Sequence, residues 1–162
     1  MRGELEPLDP NIFGEANPCF GCAPSHPAGM HLRPVREGDS VTVRFTPPET
    51  YQGPAGVMHG GLVTTLADEL AAWVILGLRG QFGFTGALEA RFLKPVRVGI
   101  EVEGRGVILD ETPRTVKIEV RLRQADEEVY RGRFSFVVLD EAGAEKLMGI
   151  TLPESWRRFV RR

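Results

Sequence analysis

The stretch Gly56-Val-Met-His-Gly-Gly-Leu-Val-Thr-Thr-Leu-Ala-Asp-Glu-Leu-Ala-Ala-Trp-Val-Ile-Leu-Gly-Leu78 decides how this chain reads. It is a loop ending in Met58-His59-Gly60-Gly61, then a helix through Leu78. Leu, Ala, Met and Glu favour helix, and no Pro interrupts positions 60–79. The first N–H groups of a helix lack intrahelical partners and carry the positive end of its dipole. With no side chains at Gly60 and Gly61, a ligand oxygen can approach that backbone closely, so the helix start is a candidate oxyanion or carbonyl site. At 100° per residue Leu62, Val63, Leu66, Leu70, Trp73, Val74 and Gly77 form the core arc. Asp68 projects almost opposite, among Thr64, Ala71, Ala72 and Ile75, with Glu69 at the edge of the arc. Small and apolar neighbours around an acid mark a face built for close approach by another surface, whereas a solvated acid would sit among other charges.

Outward from the helix, 162 residues make one domain large enough to bury a core without metal or disulfide. A net charge of −2, with no block of like charge, points to neither nucleic acid nor a membrane surface. The acidic, Pro-rich start has no signal-peptide character, and no apolar run is read as a transmembrane span. A cytoplasmic protein is expected. Residues 1–27 form an irregular lead-in, 28–140 the folded domain and 141–162 a tail with a short helix and an amphipathic end. Residues 30–46 alternate like two strands turning at Glu37-Gly38-Asp39, and 51–56 form a Gly/Pro loop. Beyond the helix, strands are expected at about 84–93, 98–109, 115–123 and 129–139, broken at Lys94-Pro95, 110–113 and 124–127. One helix cannot cover both faces of such an antiparallel sheet. The sheet is therefore expected to wrap the helix and to hide the remaining surface in a dimer.

Cys19 and Cys22, followed by His26 and His31, give C-x2-C-x3-H-x4-H, a spacing near that of a zinc knuckle. The competing reading is two reduced cysteines in a turn ahead of a strand. A nucleic-acid-binding knuckle carries a basic cluster, and only Arg33 and Arg36 are near.

Gln52-Gly-x-x-Gly-x-x-His59-Gly-Gly, the helix with Leu66-Ala-Asp68-Glu69, and Thr85-x-x-Leu88-x-x-x-Phe92-Leu-x-Pro95 together resemble the hotdog-fold acyl-CoA thioesterases of the PaaI-like group. Cys19-Phe-x-Cys22 through Gly29-Met-His-Leu32 also resembles a segment before the first strand in a branch of that group. The resemblance covers about residues 18–140. It implies an α+β hotdog fold, an antiparallel sheet wrapped around one long central helix, and two subunits pairing into one continuous sheet. A homodimer, or a homotetramer as a dimer of dimers, follows. It implies hydrolysis of an acyl- or aryl-CoA to free acid and CoA, with CoA a part of the substrate and no cofactor. Asp68 takes the role of base or nucleophile, the N–H after His59 polarises the thioester carbonyl, and Thr85 holds water or substrate. Some members have Asn where this chain has Gly53, so Gln52 is taken as its stand-in. Members of the branch lack histidines matching His26 and His31, so no metal is expected and the fold should survive a chelator. Lys94 and Arg97 are candidates for the CoA phosphates, against a reading as ordinary edge-strand charges.

Gly61 and Asp68, seven residues apart, stand about 10 Å apart along one helix, too far to serve one carbonyl. An antiparallel helix from a second subunit would bring its Asp68 beside this helix start. Two other readings compete: a hydratase or dehydratase, which needs the His59 side chain turned inward, and a non-catalytic acyl-CoA binder, which has no need of Asp68.

Overall fold

The computed structural model describes residues 4–162. Its described strands are β1 (Leu5–Pro7), β2 (Val35–Glu37), β3 (Ser40–Phe45), β4 (Phe84–Phe92), β5 (Val102–Glu111), β6 (Thr115–Gln124) and β7 (Glu127–Val137). They form one antiparallel sheet in the order β1-β2-β3-β5-β6-β7-β4. The helix α1 (Gly60–Arg79) lies in the hollow of this sheet and ends on Gly80 in the left-handed region, at φ 61°. This is the hotdog fold.

Alternation explains the wrap. Val116, Ile118, Val120 and Leu122 of β6 are buried with Tyr130, Phe134 and Phe136 of β7, in the same core as Leu66, Leu70, Trp73 and Val74 of α1. On β5, Gly104 and Gly106 let the helix come close. A Cβ at Gly106 would stand 2.5 Å from Val74 Cγ2, and one at Gly104 would stand 2.8 Å from Leu70 Cδ2. The sheet curves far enough that Ala71 and Ile75, placed on the outer face by helical phase alone, are also fully buried. The start of β4 covers them: a Cβ at Gly83 would touch Ile75 Cδ1 at 3.5 Å.

Four expectations change. The lead-in is not wholly irregular, because β1 pairs with β2 and Leu8 packs against Gly77 on the underside of α1. The strand expected from residue 98 begins at Val102. Residues before it clamp the preceding loop instead: Met58 N–H donates to the Val96 carbonyl and Gly99 N–H to that of Pro47, each at 2.8 Å. The tail docks as well. Here α2 (Glu141–Met148) and α3 (Glu154–Arg157) enclose a small second core of Ala144, Leu152 and Val160, and Trp156 Nε1–H donates to the Phe13 carbonyl at 2.9 Å. By length and composition α1 is long and apolar enough to cross a membrane, contrary to the sequence reading. Its apolar residues are instead spent on the interior of the sheet.

Candidate active site

The loop from Gln52 to Met58 is a stitched turn that aims the chain into α1. Gly53 N–H donates to the Val57 carbonyl and Val57 N–H to that of Pro54, both at 2.9 Å, while His59 N–H reaches the Tyr51 carbonyl at 2.8 Å. Gln52 spends its side chain here: its amide donates to the Glu49 carbonyl and its oxygen accepts from Gly56 N–H. The Gln52 side chain therefore braces the loop.

His59 is the N-cap of α1, and its Nδ1 accepts from Gly61 N–H at 3.0 Å. A backbone N–H can only donate, so the neutral ring carries its proton on Nε2 and has no free lone pair to act as a base. Leu62 and Val63 N–H both turn to the His59 carbonyl. That leaves Gly60 N–H as the helix-start donor with no hydrogen bond among the described residues. Of the two amides singled out by sequence, Gly60 is open and Gly61 is occupied. Gly60 borders a cleft of about 350 Å³ whose lining includes Met58, Val63, Phe92, Val96 and Lys94. A larger cavity of about 600 Å³ lies at the other end of α1, around Arg79 and Glu111, and contains none of these groups.

Asp68 lies two turns further along α1, about 12 Å from Gly60 by helical rise. Its Oδ1 accepts from Thr85 Oγ1–H at 2.7 Å. Thr85 sits on β4 where the pairing with β7 slips between Thr85 and Ala87, and such a bulge re-aims a side chain. Burial pushes the Asp68 carboxyl up, and the Thr85 hydrogen bond partly opposes this. The neighbouring Glu69 turns inward, with its oxygens 3.5 and 3.6 Å from Cys19 Sγ, and burial above all pushes it up to about 8. Glu69 thus faces the Cys19 loop, while Asp68 faces Thr85.

The remaining candidates stand apart. Lys94 pairs with Glu127 at the cleft rim. Arg97 is held through its backbone, whose N–H and carbonyl bond the Gln124 side chain at 2.8 and 2.9 Å. His31 Nε2 lies 2.6 Å from the His26 carbonyl, and His26 Nδ1 accepts from Ala28 N–H, while the ligand atoms gathered around the cysteines include neither histidine. Sequence reasoning missed Tyr130, whose buried hydroxyl makes no hydrogen bond of good geometry among the described residues and whose phenol is pushed up by burial above all, with the nearby Thr64 hydroxyl opposing and the Asp68 charge adding to it. The signal was present, since Tyr130 shares the inner face of β7 with Phe134 and Phe136 at period two.

Residues 55–130 match the family model of the thioesterase superfamily. The chain is similar in structure to a thioesterase superfamily protein, at 24% identity and TM-score 0.69, over 78% of this chain and 63% of that one, so it spans less than two thirds of that protein. It is similar to a thioesterase superfamily protein of Shewanella loihica, at 27% identity and TM-score 0.58, over 65% of this chain and 89% of that one. It is also similar to a hypothetical thioesterase of Streptococcus pneumoniae solved with coenzyme A, at 23% identity and TM-score 0.58, over 61% and 81% of the two chains. No curated protein matches. The matched segment carries α1 and the strands from β4 to the start of β7, the part of the chain that holds the helix start, Asp68 and Thr85.

Proposed function

We propose that the protein is an acyl-CoA thioesterase of the PaaI-like kind, and that its active site is assembled from two copies of the chain. The observation that carries this reading is the division of the parts. An open N–H at Gly60 and a carboxylate held by Thr85 at Asp68 lie on one helix, too far apart to act on one carbonyl. The β4 edge supplies the means of joining them. It is the last strand of the sheet, its outer backbone edge is unpaired among the described residues, and Leu88 and Phe92 are 46% and 57% exposed. Two copies meeting along β4 run their helices antiparallel, which brings Asp68 of one beside Gly60 of the other.

In that site Gly60 N–H stabilises the charge that develops on the thioester oxygen. Asp68 Oδ1 is held by Thr85, leaving Oδ2 to take a proton from an attacking water. The water oxygen bonds to the carbonyl carbon, the C–S bond breaks, and the CoA sulfur leaves with the electron pair and collects the proton. The apolar cleft beside Gly60 receives the acyl group or the pantetheine arm, and Lys94 at its rim is the candidate for a phosphate. The coenzyme A in the Streptococcus structure supports the choice of leaving group. The His59 tautomer weighs against a hydratase, which needs an imidazole free to accept a proton. A thiol-release assay over short, long and aromatic acyl-CoAs is expected to show free CoA appearing at a rate proportional to enzyme. No release with any of them would overturn the proposal in favour of a binding protein.

A further inference from the structure

Cys19 and Cys22 are the chemically pointed residues that this reaction leaves unused. The fold brings them to a third group that their spacing does not reveal. The sulfurs of Cys19 and Cys22 and a carboxylate oxygen of Glu69 all lie within 4.8 Å of one another. We propose that Cys19, Cys22 and Glu69 are three ligands of a tetrahedral site for a borderline-soft divalent cation of the zinc class, with solvent as the fourth.

Distances, surroundings and access support this. Zinc bonds of about 2.3 Å to sulfur and about 2.0–2.2 Å to oxygen put those two ligands about 3.5 Å apart in a tetrahedron. Cys19 Sγ stands 3.5 and 3.6 Å from the two oxygens of Glu69. The loop is held in this shape before any ion arrives. Ala23 N–H bonds the Cys19 carbonyl at 3.1 Å, Met30 N–H that of Phe20 at 2.9 Å, and Leu32 N–H that of Gly21 at 3.1 Å. Buried Asn17 accepts from Cys19 N–H at 3.1 Å and donates to Cys22 Sγ at 3.7 Å, an outer contact that orients a sulfur ligand. A Cβ at Gly21 would lie 2.3 Å from Glu69 Cδ, so the loop admits the carboxylate only because position 21 has no side chain. Among the described residues no Lys, Arg or His pairs with Glu69. Once deprotonated, a carboxylate and two thiolates gathered without a cationic side chain are stable together only around a cation. A cleft of about 150 Å³ bordered by Pro10, Leu32 and His31 reaches Cys22.

The ligand set is therefore two cysteines and a helix glutamate, in place of the two cysteines and two histidines that the spacing suggests. It replaces the expectation of a metal-free chain. From this position the ion would clip the lead-in to α1 at the residue next to Asp68, a structural role that stands whether or not the chain hydrolyses thioesters.

The test is elemental analysis of the reduced, purified protein, followed by cobalt titration of the chelator-treated protein. One zinc per chain is expected. Cobalt should give a sulfur-to-cobalt charge-transfer band and tetrahedral d–d bands that saturate at one equivalent. Glu69→Gln should weaken cobalt binding by a factor of about 100 or more, above the range for losing an outer contact. Cys19→Ser, which leaves one thiolate, should at least halve the charge-transfer absorbance at saturating cobalt, and His26→Ala with His31→Ala should change nothing. The wild-type titration needs no variant to fold. Absence of saturable thiolate–cobalt bands overturns the site, as does a cobalt affinity untouched by Glu69→Gln. Loss of the bands in the histidine variants would also overturn it, in favour of the Cys/His set.

Discussion

Asp68→Asn is expected to cut thioester turnover by about two orders of magnitude or more, with the fold intact. The amide keeps the size of the carboxylate and can still accept from Thr85, whose hydroxyl lies 2.7 Å from Oδ1. What it loses is the ability to take a proton. Burial raises the cost of charge at this position, the setting in which carboxylates with a chemical task are found. Turnover of each variant by thiol release, with circular dichroism to check the fold, measures this. Near wild-type turnover in Asp68→Asn would mean that the base is another group.

The second large effect is at the helix start. Gly60→Pro is expected to lower turnover by about 10²–10³, the usual result of removing one oxyanion donor. The backbone is prepared for proline there. Position 60 is the first of the helix, where proline is well tolerated, and His59 at φ −59° and ψ 131° has the extended conformation favoured before a proline. Gly60→Ala separates the N–H from the added bulk. Its Cβ would meet Phe92 Cε1 at 3.4 Å, an ordinary contact, so it should stay close to wild type in turnover. Equal losses in both variants would assign the effect to crowding.

Much of this was legible in the sequence for a physical reason. Residues whose role is set by local periodicity were placed correctly: the long helix, the antiparallel run after it, and Asp68 on the face away from Leu66 and Leu70. The errors concern residues whose surroundings come from distant parts of the chain. Helical phase put Ala71 and Ile75 outside, but the curl of the sheet toward β4 buries them. Glu69 read as an edge acid because nothing local shows that the loop at Cys19 folds back onto it across 50 positions. The distinction between Gly60 and Gly61 depends on one ring nitrogen of His59, which no pattern of residue types encodes. The part Gln52 plays in closing its own loop was hidden for a similar reason, since its partner Glu49 is set by the turn and not by residue type.

The central claim is that one chain supplies the Gly60 N–H and another the Asp68 carboxylate. Mixing two inactive proteins, Asp68→Asn and Gly60→Pro, tests it most directly. In a mixed dimer one site holds both intact parts and the other holds neither. With random exchange of equal amounts, about half of the dimers are mixed, so roughly a quarter of wild-type activity should return. Tagged pull-down verifies that exchange has occurred. Recovery to about that level is the predicted result; verified mixed dimers as inactive as their parents would contradict the shared site.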